Sequence, residues 1–301
     1  MFTIRTGLII PTRNRPKNLY FTLRYLKINK INFFKIIVVD SSDNNLRIAI
    51  KTICNKFNVE LYFSKPSTSQ QRNLGLKKLM SNKLEYIMFL DDDLKFYKNS
   101  FKSMDLNIKK YNKKYVGFSF NNFQFKKKVS LLEKVKTSRF VQKIGLYNSS
   151  YGRILDNGWQ TKISNLKKNL SSHWLPTAAL IIKKNFLYKK KFEKSFGAYS
   201  YLEDLDFSLQ LNPKRRELFL VVSNAKFIHI NEIIRTSFSF GYYEFINRYK
   251  IVKKFRLSKS NFFLMVFVKM ILTTFSILVN YKNATKLLGN IFAVIVIIAS
   301  L

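Results

Sequence analysis

The sequence predicts an α/β fold built on a mixed, mostly parallel, Rossmann-like sheet with flanking helices. Two observations predict it. Short apolar runs rich in Ile and Val alternate with segments of helical periodicity over the first ninety residues, and three of these four runs stop at Pro or Asp. Such runs fit strands buried on both faces, and their alternation with helices is typical of βαβ units. The chain has no Gly-x-Gly-x-x-Gly after the first run, which disfavours a dinucleotide-binding fold of the dehydrogenase kind.

Local signals place most elements in order. The first apolar run ends at Pro11, and Pro16 suits the first turn of a helix that reaches about residue 30. The second run ends at Asp40, and three polar residues after it supply cap chemistry for the next helix. Residues 97–172 show no clear pattern. We expect strands at 7–10, 35–39, 59–63, 86–90, 218–222 and 226–230, a turn then a strand in 174–182, and helices at 16–30, up to 57, at 67–80 and from 203.

Three consecutive carboxylates, Asp91, Asp92 and Asp93, follow the strand at 86–90. Like charges a few ångströms apart raise each other's pKa, so this cluster is costly to keep ionised without a positive partner. Carboxylate oxygens at the carboxyl end of a strand suit a hard divalent cation, Mg²⁺ or Mn²⁺, which would itself bind phosphates. The alternative is an acidic turn that caps the next helix. Acids are scarce, 17 against 54 Lys and Arg, which favours the cation site.

The composition indicates an anionic partner and a reducing compartment. The formal net charge is +37, which points to nucleic acid, a membrane surface or a phosphorylated substrate. Cys54 is the single cysteine, so the chain forms no internal disulfide. Arg5 and Pro11 interrupt the N-terminal apolar run, so we expect no signal peptide there and place the α/β part of the chain in the cytosol.

Two apolar runs, 262–279 and 287–301, lie near the C-terminus. A membrane span needs about 20 apolar residues, and the second run is shorter. The first carries Lys269 at its centre, which costs about 2.5–3.5 kcal/mol on insertion. Six basic residues precede it in 242–260 against one acid, Glu244, and each is worth about 1 kcal/mol at an anionic leaflet. We expect a monotopic or hairpin anchor, with the α/β domain at 1–258 and membrane-associated helices at 259–301.

Seven short motifs follow one another in a recognisable order, and together they resemble glycosyltransferase family 2 over about residues 5–250. They are Ile10-Pro11-Thr12-Arg13-Asn14-Arg15, Val39-Asp40, Arg72-Asn73-Leu74-Gly75, Leu90-Asp91-Asp92-Asp93, Trp174-Leu175-Pro176, Glu203-Asp204-Leu205-Asp206-Phe207 and His229. The run 241–248 is similar to bacterial rhamnosyltransferase-like members. The resemblance implies an inverting, metal-dependent enzyme of the GT-A fold in bacterial surface polysaccharide synthesis. One departure is Thr177-Ala178, where many relatives carry glycines.

The resemblance also implies a role for each motif. Asp204 is expected to be the general base, assisted by Glu203, although acids at a helix start also fit simple capping. The metal ligands are expected to be Asp93 and Asp91, with His229 either a further ligand or a buried strand histidine. Trp174 is expected to contact the acceptor. Asp206 is expected to be structural. The residues expected to bind the nucleotide sugar are Pro11, Thr12, Arg15, Asp40, Arg72, Asn73, Asp91 and Asp92.

The expected partners are a nucleotide-sugar donor, a glycan or lipid-linked acceptor and the cytoplasmic face of the bacterial inner membrane, with no nucleic acid. Two other classes stay open at this point. One is a GT-A-like nucleotidyltransferase that makes sugar nucleotides. The other is a non-enzymatic basic protein that binds membranes or nucleic acid, for which carboxylates at strand ends have no purpose.

Overall fold

The computed structural model describes residues 3–123, 142, 147–197, 200–230 and 235–301. Two compact units make up the chain: the first combines 1–124 with 163–231, and the second combines 125–162 with 232–301. The predicted domains, 1–258 and 259–301, divide the chain at another place and stay a prediction.

The described residues of the first unit form one mixed sheet. Its strands are β1 Thr6–Thr12, β2 Lys35–Asp40, β3 Glu60–Phe63, β4 Tyr86–Leu90, β5 Leu94–Phe96, β6 Gly117–Asn122, β7 Leu170–Ser172, β8 Ala179–Lys183 and β9 Phe219–His229. They run in the order β3-β2-β1-β4-β8-β6-β9-β5, with β7 paired to β9. The β3-β2-β1-β4 half is parallel throughout, and antiparallel pairs appear from β8 onward. The predicted α/β class with a mixed, mostly parallel sheet is therefore confirmed.

Helices flank this sheet, and their ends follow the local signals. Pro16 begins the first helix, and the Ser67 hydroxyl caps the third by accepting from the Gln70 N–H at 3.4 Å. Ile, Val, Leu and aromatic side chains of β1, β2, β4 and β6 form the centre of the core. The helices of this unit are α1 Pro16–Ile28, α2 Asn44–Phe57, α3 Thr68–Leu79, α4 Ser100–Tyr111 and α5 Glu203–Leu211.

The structure differs from the prediction at β9. Two short strands were predicted around a polar break, but one strand runs from Phe219 to His229. Ser223 is accommodated because its N–H and hydroxyl donate to Asn169 Oδ1 at 3.0 and 3.1 Å. The pairing with β6 shifts register between Phe120 and Asn121, which absorbs the irregularity. The polar residues Ser223 and Asn224 therefore coincide with a shift in the register between β6 and β9, and β9 continues through them.

In the part of the second unit that the structure describes, the helices are α6 Phe238–Lys254, α7 Lys259–Ile277 and α8 Asn283–Ala299. Helix α8 packs closely on α6 where two glycines face the opposite backbone. A Cβ on Gly241 would lie 2.1 Å from Lys286 O, and one on Gly289 would lie 2.1 Å from Phe238 O. The Asn290 side chain reinforces the contact by donating from Nδ2 to Gly241 O at 2.8 Å. No larger residue fits at either glycine without separating the helices.

Charged groups are buried inside this helical unit. Glu244 of α6 pairs with Lys286 of α8, Oε2 to Nζ, at 2.9 Å. Burial raises the pKa of Glu244, but the nearby charges of Lys269, Lys286 and Arg248 outweigh it and lower that pKa to about 2. Arg248 stacks on Trp159, with its Cζ 4.3 Å from the ring centre, and donates to Gly158 O.

Helix α7 is long and apolar enough to cross a membrane, and no other helix among the described residues is. Only 22% of its most apolar window is buried. Helices of this length and composition also occur in the cores of soluble proteins, where they are mostly buried.

Candidate functional site

The three consecutive carboxylates lie at the carboxyl end of β4, beside the end of β1. Thr12 Oγ1 donates to Asp92 Oδ2 at 2.6 Å. Arg15, which precedes α1, places Nη1 3.3 Å from Asp92 Oδ1 and 3.0 Å from Asp93 Oδ2. The predicted nucleotide residues of the first motif therefore meet the acidic cluster in space.

Asp92, the middle member of the cluster, is almost fully buried. Burial raises the pKa of Asp92 to about 7, although the Thr12 hydrogen bond and the Arg15 charge lower it, and Asp93 and Asp91 add to the rise. Near neutral pH the cluster consequently carries less negative charge than three ionised carboxylates would. The Asp92 carbonyl also accepts from Thr22 Oγ1 at 3.0 Å, which ties the cluster to α1.

Arg72, from α3, joins the two groups of predicted site carboxylates. Its side chain is 2% exposed. One terminal nitrogen, Nη2, lies 2.7 Å from Asp91 Oδ1, and the other, Nη1, pairs with Glu203 Oε1. The guanidinium also stands over the Phe192 ring, with Cζ 5.5 Å from its centre. A single buried cation thus balances one carboxylate from β4 and one from α5.

The start of α5 is fixed by contacts from α3 and from the segment before β8. Glu203 Oε2 accepts from Ser69 Oγ at 2.9 Å, and Glu203 Oε1 accepts from Thr177 Oγ1 at 3.5 Å. Ser200 and Leu202 both have left-handed backbone angles, with φ of 53° and 71°. A non-glycine residue adopts that conformation at a cost of about 1–2 kcal/mol, which packing must offset.

Asp204 and Asp206 differ in environment. Asp204 is half-buried, and its Oδ1 accepts from the Leu205 N–H at 2.8 Å. Asp206 is fully buried, and its Oδ2 accepts from Gln210 Nε2 within α5 at 2.6 Å. This arrangement is consistent with the predicted division between a base that reaches substrate and a structural acid, which stays a prediction.

Asp40 is the last residue of β2, and its two carboxylate oxygens differ in their hydrogen bonds. Its Oδ1 accepts from the Ser42 N–H at 2.9 Å and from the Ser42 hydroxyl at 2.5 Å. Its Oδ2 is buried and finds no hydrogen-bond donor among the described residues. A buried carboxylate oxygen without a donor is costly, so a ligand donor such as a base N–H would stabilise it.

Asn73 makes its contacts within the protein. Its Oδ1 accepts from the Phe192 N–H at 2.8 Å, and its Nδ2 donates to Phe192 O at 2.9 Å. The amide therefore holds the chain beneath Arg72, and its predicted contact with the nucleotide stays a prediction. Sequence reasoning passed over Gln71, whose Nε2 donates to Thr12 O and Val39 O at 2.8 and 2.7 Å. Gln71 joins the ends of β1 and β2, and its place beside Arg72 was the available signal.

His229 lies near the cluster. Its Nδ1 is 3.6 Å from Asp93 Oδ1, and the neighbouring Ile230 N–H donates to Asp93 O at 2.9 Å. No group of three or more His, Cys, Asp or Glu side chains fit to hold a metal occurs in the described part of the chain. The Asp93 carboxylate still fits Mg²⁺ or Mn²⁺, since such ions bind one or two carboxylates together with substrate phosphates and water, and the His229 imidazole is the less usual ligand for them.

Trp174 and Pro11 serve as local supports in the structure. Trp174 is buried, its carbonyl accepts from Ser172 Oγ, and the next residue, Leu175, donates its N–H to Ser208 Oγ of α5 at 3.1 Å. Pro11 is buried in β1, opposite Val39 of β2. The predicted acceptor contact of Trp174 and nucleotide contact of Pro11 stay predictions.

Comparisons with known proteins identify the family of the chain and a similar fold. The family model described as Glycosyl transferase family 2 matches residues 8–191. No curated protein matches the chain in sequence. The crystal structure of S. aureus TarS 1-349 is similar in fold, with a TM-score of 0.52 and 15% identity over 88% of this chain and 72% of that one.

A second crystal structure of S. aureus TarS has a TM-score of 0.49 and 15% identity, and covers 84% of this chain. The present chain spans 43% of that longer chain. The family match covers more than half of the residues, including β1, β2, β4 and the acidic cluster. The chain belongs to glycosyl transferase family 2.

Proposed function

We propose that the chain is an inverting, metal-dependent glycosyltransferase that moves a sugar from a nucleotide donor to a hydroxyl of a glycan or lipid-linked acceptor. The proposed pathway is bacterial surface polysaccharide synthesis. Enzymes of the family use nucleotide-sugar donors and glycan acceptors, which supports the general reaction. The observation that carries the proposal is the buried Arg72, which ties Asp91 of the acidic cluster to Glu203 beside Asp204.

The donor would bind at the carboxyl ends of β1, β2 and β4. Ligands of parallel α/β sheets bind beyond the carboxyl ends of the strands, which favours this edge. The buried Oδ2 of Asp40, which has no hydrogen-bond donor among the described residues, supports a hydrogen bond there from a base N–H or a ribose hydroxyl. Arg15 is half-exposed, so its guanidinium can turn from Asp92 and Asp93 to the diphosphate.

Asp93 and His229 would hold the cation, with Asp91 as a further oxygen ligand. A bound Mg²⁺ or Mn²⁺ supplies charge stabilisation to the departing nucleoside diphosphate. The protein's own contribution is placement: the Ile230–Asp93 backbone hydrogen bond and the pairing of His229 with Leu94 hold the two ligands on adjacent strands.

Asp204 would act as the general base. A sugar hydroxyl is a poor nucleophile at neutral pH, so attack on the anomeric carbon benefits from a carboxylate that takes the proton. Attack from the face opposite the departing diphosphate inverts the configuration. Glu203 lies buried behind it against Arg72 and Ser69, which suits a group that orients the start of α5.

The enzyme would work at the cytoplasmic side of the bacterial inner membrane. Helices α7 and α8 are rich in apolar residues, and many of these are exposed. Exposed apolar surface of this extent marks an interaction site. A lipid-linked or membrane-proximal acceptor would then be delivered to the same surface.

Donor screening tests the proposal. The full chain, purified in mild detergent, is mixed with each common nucleotide sugar and Mn²⁺, and thermal stabilisation identifies the donor. Transfer to acceptor glycans is then followed for the unaltered chain. The control is Glu60→Gln, which removes an exposed carboxylate of β3 away from the site and should transfer sugar as the unaltered chain does. The proposal predicts nucleoside diphosphate release with transfer of the sugar. Release of pyrophosphate from a sugar phosphate and a nucleoside triphosphate would instead identify a nucleotidyltransferase.

A further inference from the structure

We propose that α7 and α8 lie in the plane of an anionic bilayer surface, with one apolar face embedded and neither helix crossing it. The proposal rests on the proposed function, because it specifies the membrane partner of that enzyme. Its first support is an exposed apolar surface. Of 25 exposed large apolar side chains in the described residues, 13 lie in 264–301.

The exposed residues of each helix form one face. We define the apolar face by residues spaced three, four or seven apart, which share one side of a helix. Phe267 and Phe275 of α7 are 62% and 58% exposed, and Ile295 and Ile298 of α8 are 57% and 58% exposed. The full set is Leu264, Phe267, Ile271 and Phe275 on α7, Leu278 directly after it, and Leu288, Ile291, Phe292, Ile295 and Ile298 on α8.

The opposite face of α8 is occupied. Its buried residues, Gly289, Asn290, Ala293 and Ile297, also recur at helical spacing. They contact α6 through the close glycine approach and the Asn290 hydrogen bond to Gly241. Since α8 is fixed along one side to another helix of the protein, it moves into a membrane only together with α6.

Helix α6 is unsuited to the hydrocarbon layer. It carries the buried Glu244 and Arg248 and ends in the exposed Lys253 and Lys254. Lys269, the central charge of α7, acts on Glu244 from within the same unit. A charged side chain at the bilayer centre costs about 2.5–3.5 kcal/mol or more. Keeping these charges on the protein side while the apolar face enters the interface avoids that cost.

Charge complementarity favours a bilayer over a second copy of the chain. Exposed basic residues stand at both ends of α7: Lys253, Lys254 and Arg256 before it, Lys259 at its first position and Lys282 after it. Two identical copies would bring these cations together, within a chain of net charge +37. An anionic leaflet instead attracts them, in the manner of interfacial helices whose apolar face enters about 5–10 Å.

Vesicle flotation tests the surface. The full chain is added to preformed vesicles with phosphatidylglycerol or with phosphatidylcholine alone, and we expect stronger binding to the anionic ones. Phe267→Asp and Ile295→Asp should each lower the partition constant about tenfold or more, because each removes a large apolar group and adds repulsion. Ile48→Asp on α2, at a side chain 77% exposed, is the matched control and should bind as the unaltered chain does.

Cysteine accessibility tests the orientation. Cys54 is buried, and burial raises the pKa of its thiol to about 12, so it should not react with a maleimide in the folded protein. Ser260→Cys and Asn280→Cys place thiols at the two ends of α7. Both should label with a membrane-impermeant maleimide added outside the vesicles.

Three results would overturn the inference. Protection of the thiol at position 280 would show that α7 crosses the bilayer. Equal flotation of the Asp variants and the unaltered chain would show that another surface binds lipid. A stable dimer in lipid-free solution that both variants dissociate would show that a second copy covers the apolar face. None of these readouts requires sugar transfer, so failure here leaves the proposed reaction to be judged by its own assay.

Discussion

Arg72 and Glu203 form a buried ion pair between α3 and α5, and the same guanidinium holds Asp91 at 2.7 Å. Removing one partner of such a pair leaves an uncompensated buried charge, which is strongly destabilising. The pair therefore fixes where α5 begins relative to the acidic cluster. Both residues belong to the first unit, so this coupling is internal to the catalytic fold.

We expect Arg72 and Glu203 to act as one element in turnover. Arg72→Met and Glu203→Gln should each lower kcat, and the double variant should lose about as much as the worse single variant, because both changes break one link. Steady-state kinetics with a separate donor-binding measurement checks this. Arg72→Lys, which keeps the charge, should recover part of kcat. Losses that add fully in the double variant would show independent roles.

Asp204→Asn should lower kcat by about 10²–10⁴-fold while donor affinity stays nearly unchanged, because the variant keeps the shape of the base but cannot take a proton. Asp206→Asn should mainly reduce thermal stability, since its carboxylate is buried against Gln210. Transfer assays, donor calorimetry and NMR of the product's anomeric carbon give the readouts. Near-normal turnover of Asp204→Asn, or retained configuration, would contradict the mechanism.

Nucleoside diphosphate binding should depend on a divalent cation. Chelation with EDTA should weaken calorimetric binding sharply, and Asp93→Asn should do the same, because Asp93 is placed to share the ion with His229 and the phosphates. His229→Gln should give a smaller loss, with its metal preference altered. Equal affinity with and without the cation would remove the metal assignment.

Stability of the helical unit should fall in acid through Glu244. Its pKa is lowered from its ordinary value of 4.5 to about 2 in the folded protein, so it binds its proton more readily when unfolded. Its stabilisation is complete above about pH 4.5 and is lost as pH falls towards 2, a contribution of roughly a few kcal/mol. Thermal unfolding of the full chain and of Glu244→Gln should differ most above about pH 4.5 and converge near pH 2. A pH-independent difference would mean that the ion pair is not responsible.

Local patterns were sufficient for the parallel half of the sheet and for the order of the site motifs. The strand 86–90 was predicted with its observed ends, because an apolar run bounded by Asp91 leaves little choice. Asn73 was harder: its partner, Phe192, lies 119 residues further along the chain, and only tertiary packing brings them together. The ion pairs of Arg72 were missed in the same way, because its partners Asp91 and Glu203 are distant from it in sequence. Its contact with the nucleotide stays a prediction.

The acidic cluster makes the charge that a ligand meets close to the site opposite in sign to the charge of the whole chain. From far away a donor meets the field of a molecule with net charge +37, which accelerates the approach of an anion in low salt. Within a few ångströms it meets Asp91, Asp92 and Asp93, whose sign is opposite. Salt screening acts over about 10 Å at 0.1 M, so added salt should slow association far more than it changes the contacts formed after arrival. Encounter and capture are then controlled by different charges.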